Sequence, residues 1–126
     1  MGQPGRSLEE IAKSGLLNVA PLGDVRGVFE TNVFGVIAVT QAMLPLLLEA
    51  PAGRIVNIGS QTGSLTWNSD PKIPHRKMFG AYSVSKTALN AVTFAFAMQN
   101  FDGRWTVDAW SPLEGRVING GIRFGF

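Results

Sequence analysis

The chain has no cysteine, a single histidine and a single tyrosine among its 126 residues. Without cysteine there are no disulfides, no thiolate chemistry and no Cys-ligated zinc. A His-cluster metal site or a Ser-His-Asp triad would have to be built on His75 alone. That residue follows Pro74 and stands among Lys72, Arg76 and Lys77, where a metal cation is repelled, so it reads as a solvated loop histidine and no metal is expected. Charge is sparse: 16% of residues are charged and the formal net charge is +2, with basic residues scattered from Arg6 to Arg123. Such scatter forms no stripe for nucleic acid, and no nucleic-acid partner is expected. Long apolar runs are lacking as well. The richest, Val33 to Leu48, is broken by Thr40, Gln41 and Pro45 and falls short of a membrane span. Met1 to Arg6 has no apolar core for a signal peptide, and Arg6 stands where myristoylation prefers Ser or Thr. The expected setting is soluble and cytoplasmic, with no membrane partner.

Hydrophobic residues make up 45% of the chain, enough for one domain core in a chain too short for two. No repeat or low-complexity segment is present. Ser7-Leu8-Glu9-Glu10 has the form of a capping box and predicts a short helix to about Ser14, stopped by Gly15. Asp24 is the expected N-cap of a long helix reaching about Leu48. Val25, Val28, Phe29, Val33, Val36, Ile37 and Leu44 recur there at helical spacing. The second half is apolar nearly all round, and Pro45 fits only a final kinked turn. Arg54 to Ile58 is short and β-branched and predicts a buried strand ending at Gly59-Ser60. Residues 61–79 form a long connection of the kind that is usually functional. A helix over 80–99 follows, with Ala81, Ala88, Val92 and Ala95 as its packing face. Arg104 to Trp110 predicts a second strand, and after Pro112 no element is expected. Helix, strand, helix, strand is half of an α/β domain with a parallel sheet.

Within this frame Tyr82 and Lys86 lie four apart, which on a helix puts them on one face, one turn above the other. A phenol ordinarily holds its proton to about pH 10. An ammonium a few ångströms from a phenol favours the phenolate, and the pair can then exchange a proton with an alcohol or carbonyl oxygen. The plain alternative is a surface Tyr and Lys that meet by chance. Ser60 closes a strand at the sheet end where ligands bind in parallel α/β folds, either as a hydrogen-bond donor to that oxygen or simply as a polar strand end. Asn32 is out of place in an apolar helix. It either caps a kink, which Gly35 favours, or positions a water.

Thr31-Asn32-Val33-Phe34-Gly35, Gly53-Arg54-Ile55-Val56-Asn57-Ile58-Gly59-Ser60 and Ala81-Tyr82-Ser83-Val84-Ser85-Lys86, in this order, resemble the short-chain dehydrogenase/reductase family over about residues 20–110. The resemblance implies a doubly wound, Rossmann-like parallel sheet, of which this chain is the C-terminal catalytic half. It also implies an Asn32-Ser60-Tyr82-Lys86 tetrad acting on a small carbonyl or secondary alcohol with NAD or NADP. Tyr82 is then the general acid/base and Ser60 orients the carbonyl. Lys86 favours the phenolate and, with Tyr82, contacts the cofactor, holding the nicotinamide ribose. Asn32 fixes a relay water. The long gap between Ser60 and Tyr82 is similar to that of carbonyl-reductase-like members, which makes Trp67, Met78 and Phe79 candidate substrate walls or, equally, loop anchors. Pro112 stands near the family's Pro-Gly and is a candidate cofactor contact, but Leu113-Glu114 departs from the pattern.

The family's Thr-Gly-x-x-x-Gly-x-Gly phosphate turn is nowhere in the chain. The expectation is therefore a single incomplete domain over residues 1–126, truncated at its N-terminus, with an atypical tail over 111–126. Its strand edge and the helices at 24–48 and 80–99 would be bare, and a homo-oligomer through those helices would cover them. The second reading is a non-catalytic interaction module that dimerises through the same helices.

Overall fold

A computed structural model of the chain describes residue 5 and residues 7–74, 76–99, 105–111 and 116–119. Helix α1 (Leu8–Ser14) opens on the expected reciprocal cap. The Glu10 N–H donates to Ser7 Oγ at 3.1 Å and the Ser7 N–H to Glu10 Oε2 at 2.9 Å. Helix α2 (Leu22–Phe29) starts earlier than the Asp24 cap predicted. Pro21, with its φ fixed near the helical value, closes the first turn by accepting from the N–H groups of Asp24 and Val25. Asp24 instead lies in the first turn, where its charge suits the helix dipole.

Between α2 and α3 (Gly35–Glu49) the helix widens into one π turn over Glu30–Phe34, closed by the Gly35 N–H on the Glu30 carbonyl. A methyl on Gly35 would lie 2.9 Å from that carbonyl oxygen, so the turn needs a glycine there. This is the irregularity that Asn32 and Gly35 foretold. Pro45 lies inside α3, which continues through Leu46–Glu49. The uninterrupted helix Leu22–Glu49 is long and apolar enough to cross a membrane by length and composition, a test that core helices of soluble proteins also pass. That corrects the expectation drawn from residues 33–48 alone, because the helix does not stop at the polar interruptions.

Strand β1 (Gly53–Ile58) pairs in parallel with β2 (Trp105–Ser111), Ile55 opposite Val107 and Ile58 opposite Trp110. The tail, where no element was expected, holds β3 (Arg116–Asn119) antiparallel to β2, with Ala109 opposite Ile118. Val117 and Ile118 are β-branched and suit a strand. The sheet is therefore parallel only between β1 and β2, within an α/β arrangement of the expected helix-strand-helix-strand order. His75 and Pro112 lie outside the described residues.

Three short pieces follow β1 before α5 (Ala81–Gln99): a 3-10 turn over Gln61–Gly63, helix α4 (Leu65–Asn68) and a second 3-10 turn over Arg76–Met78. The connection is thus more ordered than the loop predicted for it, because Ser60 and Ser64 cap its turns. Val107, Ala109 and Trp105 of β2 pack with Ala81 and Leu89 of α5 and Val33 of the π turn to form the core. The buried stripe of α5 runs through Ala81, Ser85, Leu89 and Thr93, while Ala88 and Val92 are half-buried and Ala95 is exposed. The expected face was displaced because two of its true members are hydroxylic. Each hydroxyl is satisfied locally: Ser85 Oγ donates to the Tyr82 carbonyl at 2.6 Å and Thr93 Oγ1 to that of Leu89 at 3.0 Å.

Polar bonds, one of them fully buried, then fix the register of the layers. Asn57 Nδ2 of β1 donates to Thr93 Oγ1 at 2.9 Å, and Arg54 Nε donates to Asp108 Oδ2 of β2 at 2.7 Å. Among the described residues β1 has no neighbour on its other side. Val56 is 46% and Ile58 52% exposed, as the bare edge predicted. Replacing Thr93 by Val should strand the Asn57 amide and lower stability by about 1–3 kcal/mol, whereas Thr93→Ser should stay close to the parent. Urea denaturation followed by circular dichroism measures both.

Candidate active site

The N-terminus of α5 is fixed from outside. The Ala81 N–H donates to the Gly15 carbonyl at 2.8 Å, and Gly80 faces that carbonyl so closely that a side chain there would collide with it. Tyr82 follows and is 52% exposed. One turn on, Lys86 lies with its Nζ 5.6 Å from the Tyr82 ring centroid, a cation–π contact, and donates to the Ile58 carbonyl at 3.1 Å. Partial burial pushes the Lys86 ammonium below its ordinary pKa, since desolvation disfavours the charged form.

Ser60 sits just past the end of β1 in extended conformation and caps the Gln61–Gly63 turn. Its Oγ accepts the Thr62 N–H at 3.2 Å and lies 2.8 Å from Thr62 Oγ1. The turn is pressed onto α5 at Gly63, where a methyl would stand 2.8 Å from the Lys86 carbonyl carbon. Thr87 Oγ1 reaches the Gly63 carbonyl at 2.7 Å and shares its proton with the Ser83 carbonyl at 3.0 Å. Two consecutive residues of α5 therefore bracket Ser60. Lys86 holds the backbone before it and Thr87 the backbone after it.

Asn32 reaches the same helix from the π turn. Its Nδ2 donates to Ser85 Oγ at 3.0 Å, and Ser85, fully buried, passes its own proton to the Tyr82 carbonyl. The helix is irregular at Asn32, which lies in the π turn, but Asn32 does not cap that turn: its amide is bonded to Ser85 of α5. Asn32, Ser60, Tyr82 and Lys86 are thus linked through a few bonds although they come from three separate stretches of chain.

The candidate walls are less closely tied. Trp67 is half-buried on α4, its N–H bonded to Ser64 Oγ at 3.1 Å. Met78 and Phe79 are half-buried just before Gly80. Among the described interactions no side-chain bond or ring contact joins these three to Ser60 or Tyr82. The connection they stand on is stapled by Asn68, whose Nδ2 donates to the Thr62 and Ser64 carbonyls at 3.0 and 2.7 Å. Sequence reading missed Ser85, Thr87, Thr62 and Gly63. Ser85 lay in plain view inside the Tyr-Lys hexapeptide, and only its burial marks it out. Among the described residues no group of three or more His, Asp or Glu side chains is placed to hold a metal.

The profile of the short chain dehydrogenase family matches residues 11–112. The chain belongs to that family. It is 42% identical over 66 residues to dehydrogenase/reductase SDR family member 7B of Danio rerio, covering 52% of this chain and 18% of the relative. With 3-ketodihydrosphingosine reductase of Bacteroides thetaiotaomicron it shares 34% over 85 residues, 68% of this chain and 28% of the relative. With human 11-beta-hydroxysteroid dehydrogenase type 2 it shares 31% over 81 residues, 64% of this chain and 18% of the relative. The crystal structure of acetoin dehydrogenase from Enterobacter cloacae superposes with a TM-score of 0.61 at 26% identity, covering 78% of this chain and 37% of that one. The matched stretch is thus between 18% and 28% of the length of these three relatives. The fold is the family's Rossmann-like α/β fold in part. Gly63→Ala should force the Ser60 turn off α5 and cost about 1–3 kcal/mol, read as a lower urea midpoint.

Proposed function

We propose that the site is the proton-handling part of a nicotinamide-dependent oxidoreductase that interconverts a carbonyl and a secondary alcohol, as in carbonyl-reductase-like members of the family. What supports this most is that Tyr82 and Lys86 share one face of α5 while Lys86 Nζ reaches the carboxyl end of β1, two residues before Ser60. The names of the relatives, 3-ketodihydrosphingosine reductase and 11-beta-hydroxysteroid dehydrogenase, agree with a carbonyl or secondary alcohol as substrate class.

The donor set fits one end of NAD or NADP. The Lys86 ammonium and the Tyr82 hydroxyl suit the hydroxyls of a nicotinamide ribose, while the family's pyrophosphate turn has no match in the sequence. When bound, the nicotinamide supplies a hydride to the carbonyl carbon. Tyr82 donates its phenolic proton to the carbonyl oxygen, and Ser60 donates a hydrogen bond to the same oxygen as negative charge grows on it. Lys86, short of part of its hydration, stabilises the phenolate left behind. Asn32, its Nδ2 committed to Ser85, holds the first turn of α5 in place and keeps Oδ1 as an acceptor for a relay water. Trp67, Phe79 and Pro112 are retained as candidate contacts to substrate and cofactor.

A second reading, a non-catalytic module that pairs with another copy, is favoured by exposed apolar residues on both long helices. These are Val39, Met43 and Leu46 of α3 and Phe94 and Met98 of α5. Sedimentation that finds only monomer would count against it.

Titration of the chain with NADH and NADPH, followed by fluorescence, should show saturable binding that Lys86→Ala abolishes. Tyr82→Phe should keep binding but lower carbonyl reduction by about a hundredfold or more. Undiminished turnover in Tyr82→Phe would sink the mechanism.

A further inference from the structure

We propose that Thr62 is a positioning residue that aims the hydroxyl proton of Ser60, a role that rests on the oxidoreductase reading of the site. A serine hydroxyl has one proton and two lone pairs. One lone pair of Ser60 is already taken by the Thr62 N–H at 3.2 Å. The Thr62 hydroxyl, 2.8 Å from Ser60 Oγ, can either receive the Ser60 proton or give its own. In the first arrangement the Ser60 proton is used up inside the turn. In the second, both lone pairs of Ser60 are filled from Thr62, and its proton has to point away from the turn. A carbonyl oxygen can only accept, so its arrival at Ser60 selects the second arrangement. Thr62 thus lets Ser60 turn its proton outward without leaving a lone pair unfilled.

The device requires that Thr62 stay where it is, and the surrounding bonds ensure this. The Thr62 carbonyl accepts Asn68 Nδ2 at 3.0 Å, and the adjacent Gly63 carbonyl accepts Thr87 Oγ1 at 2.7 Å. The Gly63 N–H closes the turn on the Ser60 carbonyl at 3.0 Å. Ser60 and Thr62 are both half-buried, so water competes only in part for these hydroxyls. Valine at position 62 keeps the shape and the backbone N–H but deletes the hydroxyl. Serine keeps the hydroxyl and deletes a methyl.

The test compares the full chain with Thr62→Val and Thr62→Ser. The three-bond Hβ–Hγ couplings of Ser60, which report rotation of its hydroxyl about Cβ–Oγ, are read by NMR at low temperature, and reduction of diacetyl by excess NADPH or NADH is followed as kcat and KM. The expected result is one Ser60 hydroxyl rotamer in the parent and in Thr62→Ser, and averaged couplings in Thr62→Val. The kcat of Thr62→Val should fall about tenfold, less than the hundredfold typical of deleting an oxyanion donor outright, with the cofactor KM unchanged. Thr62→Ser should restore it. Unchanged Ser60 couplings or an unchanged kcat in Thr62→Val would overturn the proposal. A parent chain that neither binds cofactor nor reduces any carbonyl fails the oxidoreductase reading instead, and the couplings alone then decide the role of Thr62. Should Thr62→Val not give a dispersed amide spectrum, Thr62→Ala carries the same comparison.

Discussion

Everything chemical in this chain depends on how closely one helix can approach its neighbours. The buried face of α5 meets the π turn through Ser85 and β1 through Thr93, and both contacts are hydrogen bonds between side chains. A hydroxyl is short and can donate to its own helix while accepting from outside. Ser85 therefore serves Tyr82 and Asn32 at once, and Thr93 serves Leu89 and Asn57. Leucine in either place would hold the helix farther off and take the partner from an asparagine amide, and at Asn57, which is buried, that costs more than the lost bond. The core is in this sense partly polar by necessity.

The same close approach governs the site. Gly63 allows the Ser60 turn to lie against the backbone of Lys86 and Thr87, and those two residues bond the chain on either side of Ser60. No side-chain bond joins Ser60 to Tyr82 among the described interactions. Side chains of α5 hold the backbone carbonyls on either side of Ser60, so the separation of Ser60 from Tyr82 is inherited from the packing of a helix on a strand end. Regular elements hold such positions better than loops do. The exposure of Tyr82 leaves the phenol open to a ligand while its backbone is pinned from beneath.

Outside the site the fold is less well covered. A groove of about 900 Å³ runs between α3 and β1, lined by Val36, Val39, Met43, Leu47, Ile55 and Val56. It lies along the edge of β1 that pairs with no strand among the described residues. Burial of apolar area is worth roughly 25 cal/mol per Å², so a bare edge and a bare helix forgo stabilisation that a neighbouring layer would supply. The stability of the chain consequently rests on the α5 side of the sheet, where buried hydrogen bonds and the β2 core coincide.

The sequence by itself determined most of the regular elements and singled out the candidate residues. The Ser7 capping box, the β-branched Arg54–Ile58 run and the four-residue Tyr82–Lys86 spacing are local patterns, and local patterns are written in adjacent residues. Asn32 and Gly35 also announced an irregular helix, because both oppose a regular apolar one. What tertiary structure decided is everything that joins distant stretches. That Ser85 and Thr93 are interior, that Gly63 is a contact surface and that Thr62 faces Ser60 cannot be read from polarity, since each is polar or small and common on surfaces. The extra strand at Arg116–Asn119 was decided in the same way, by backbone partners supplied from β2. Periodicity records which side chains avoid water. It does not record which hydroxyl meets which amide across a packed interface, and here those meetings set the geometry of the site.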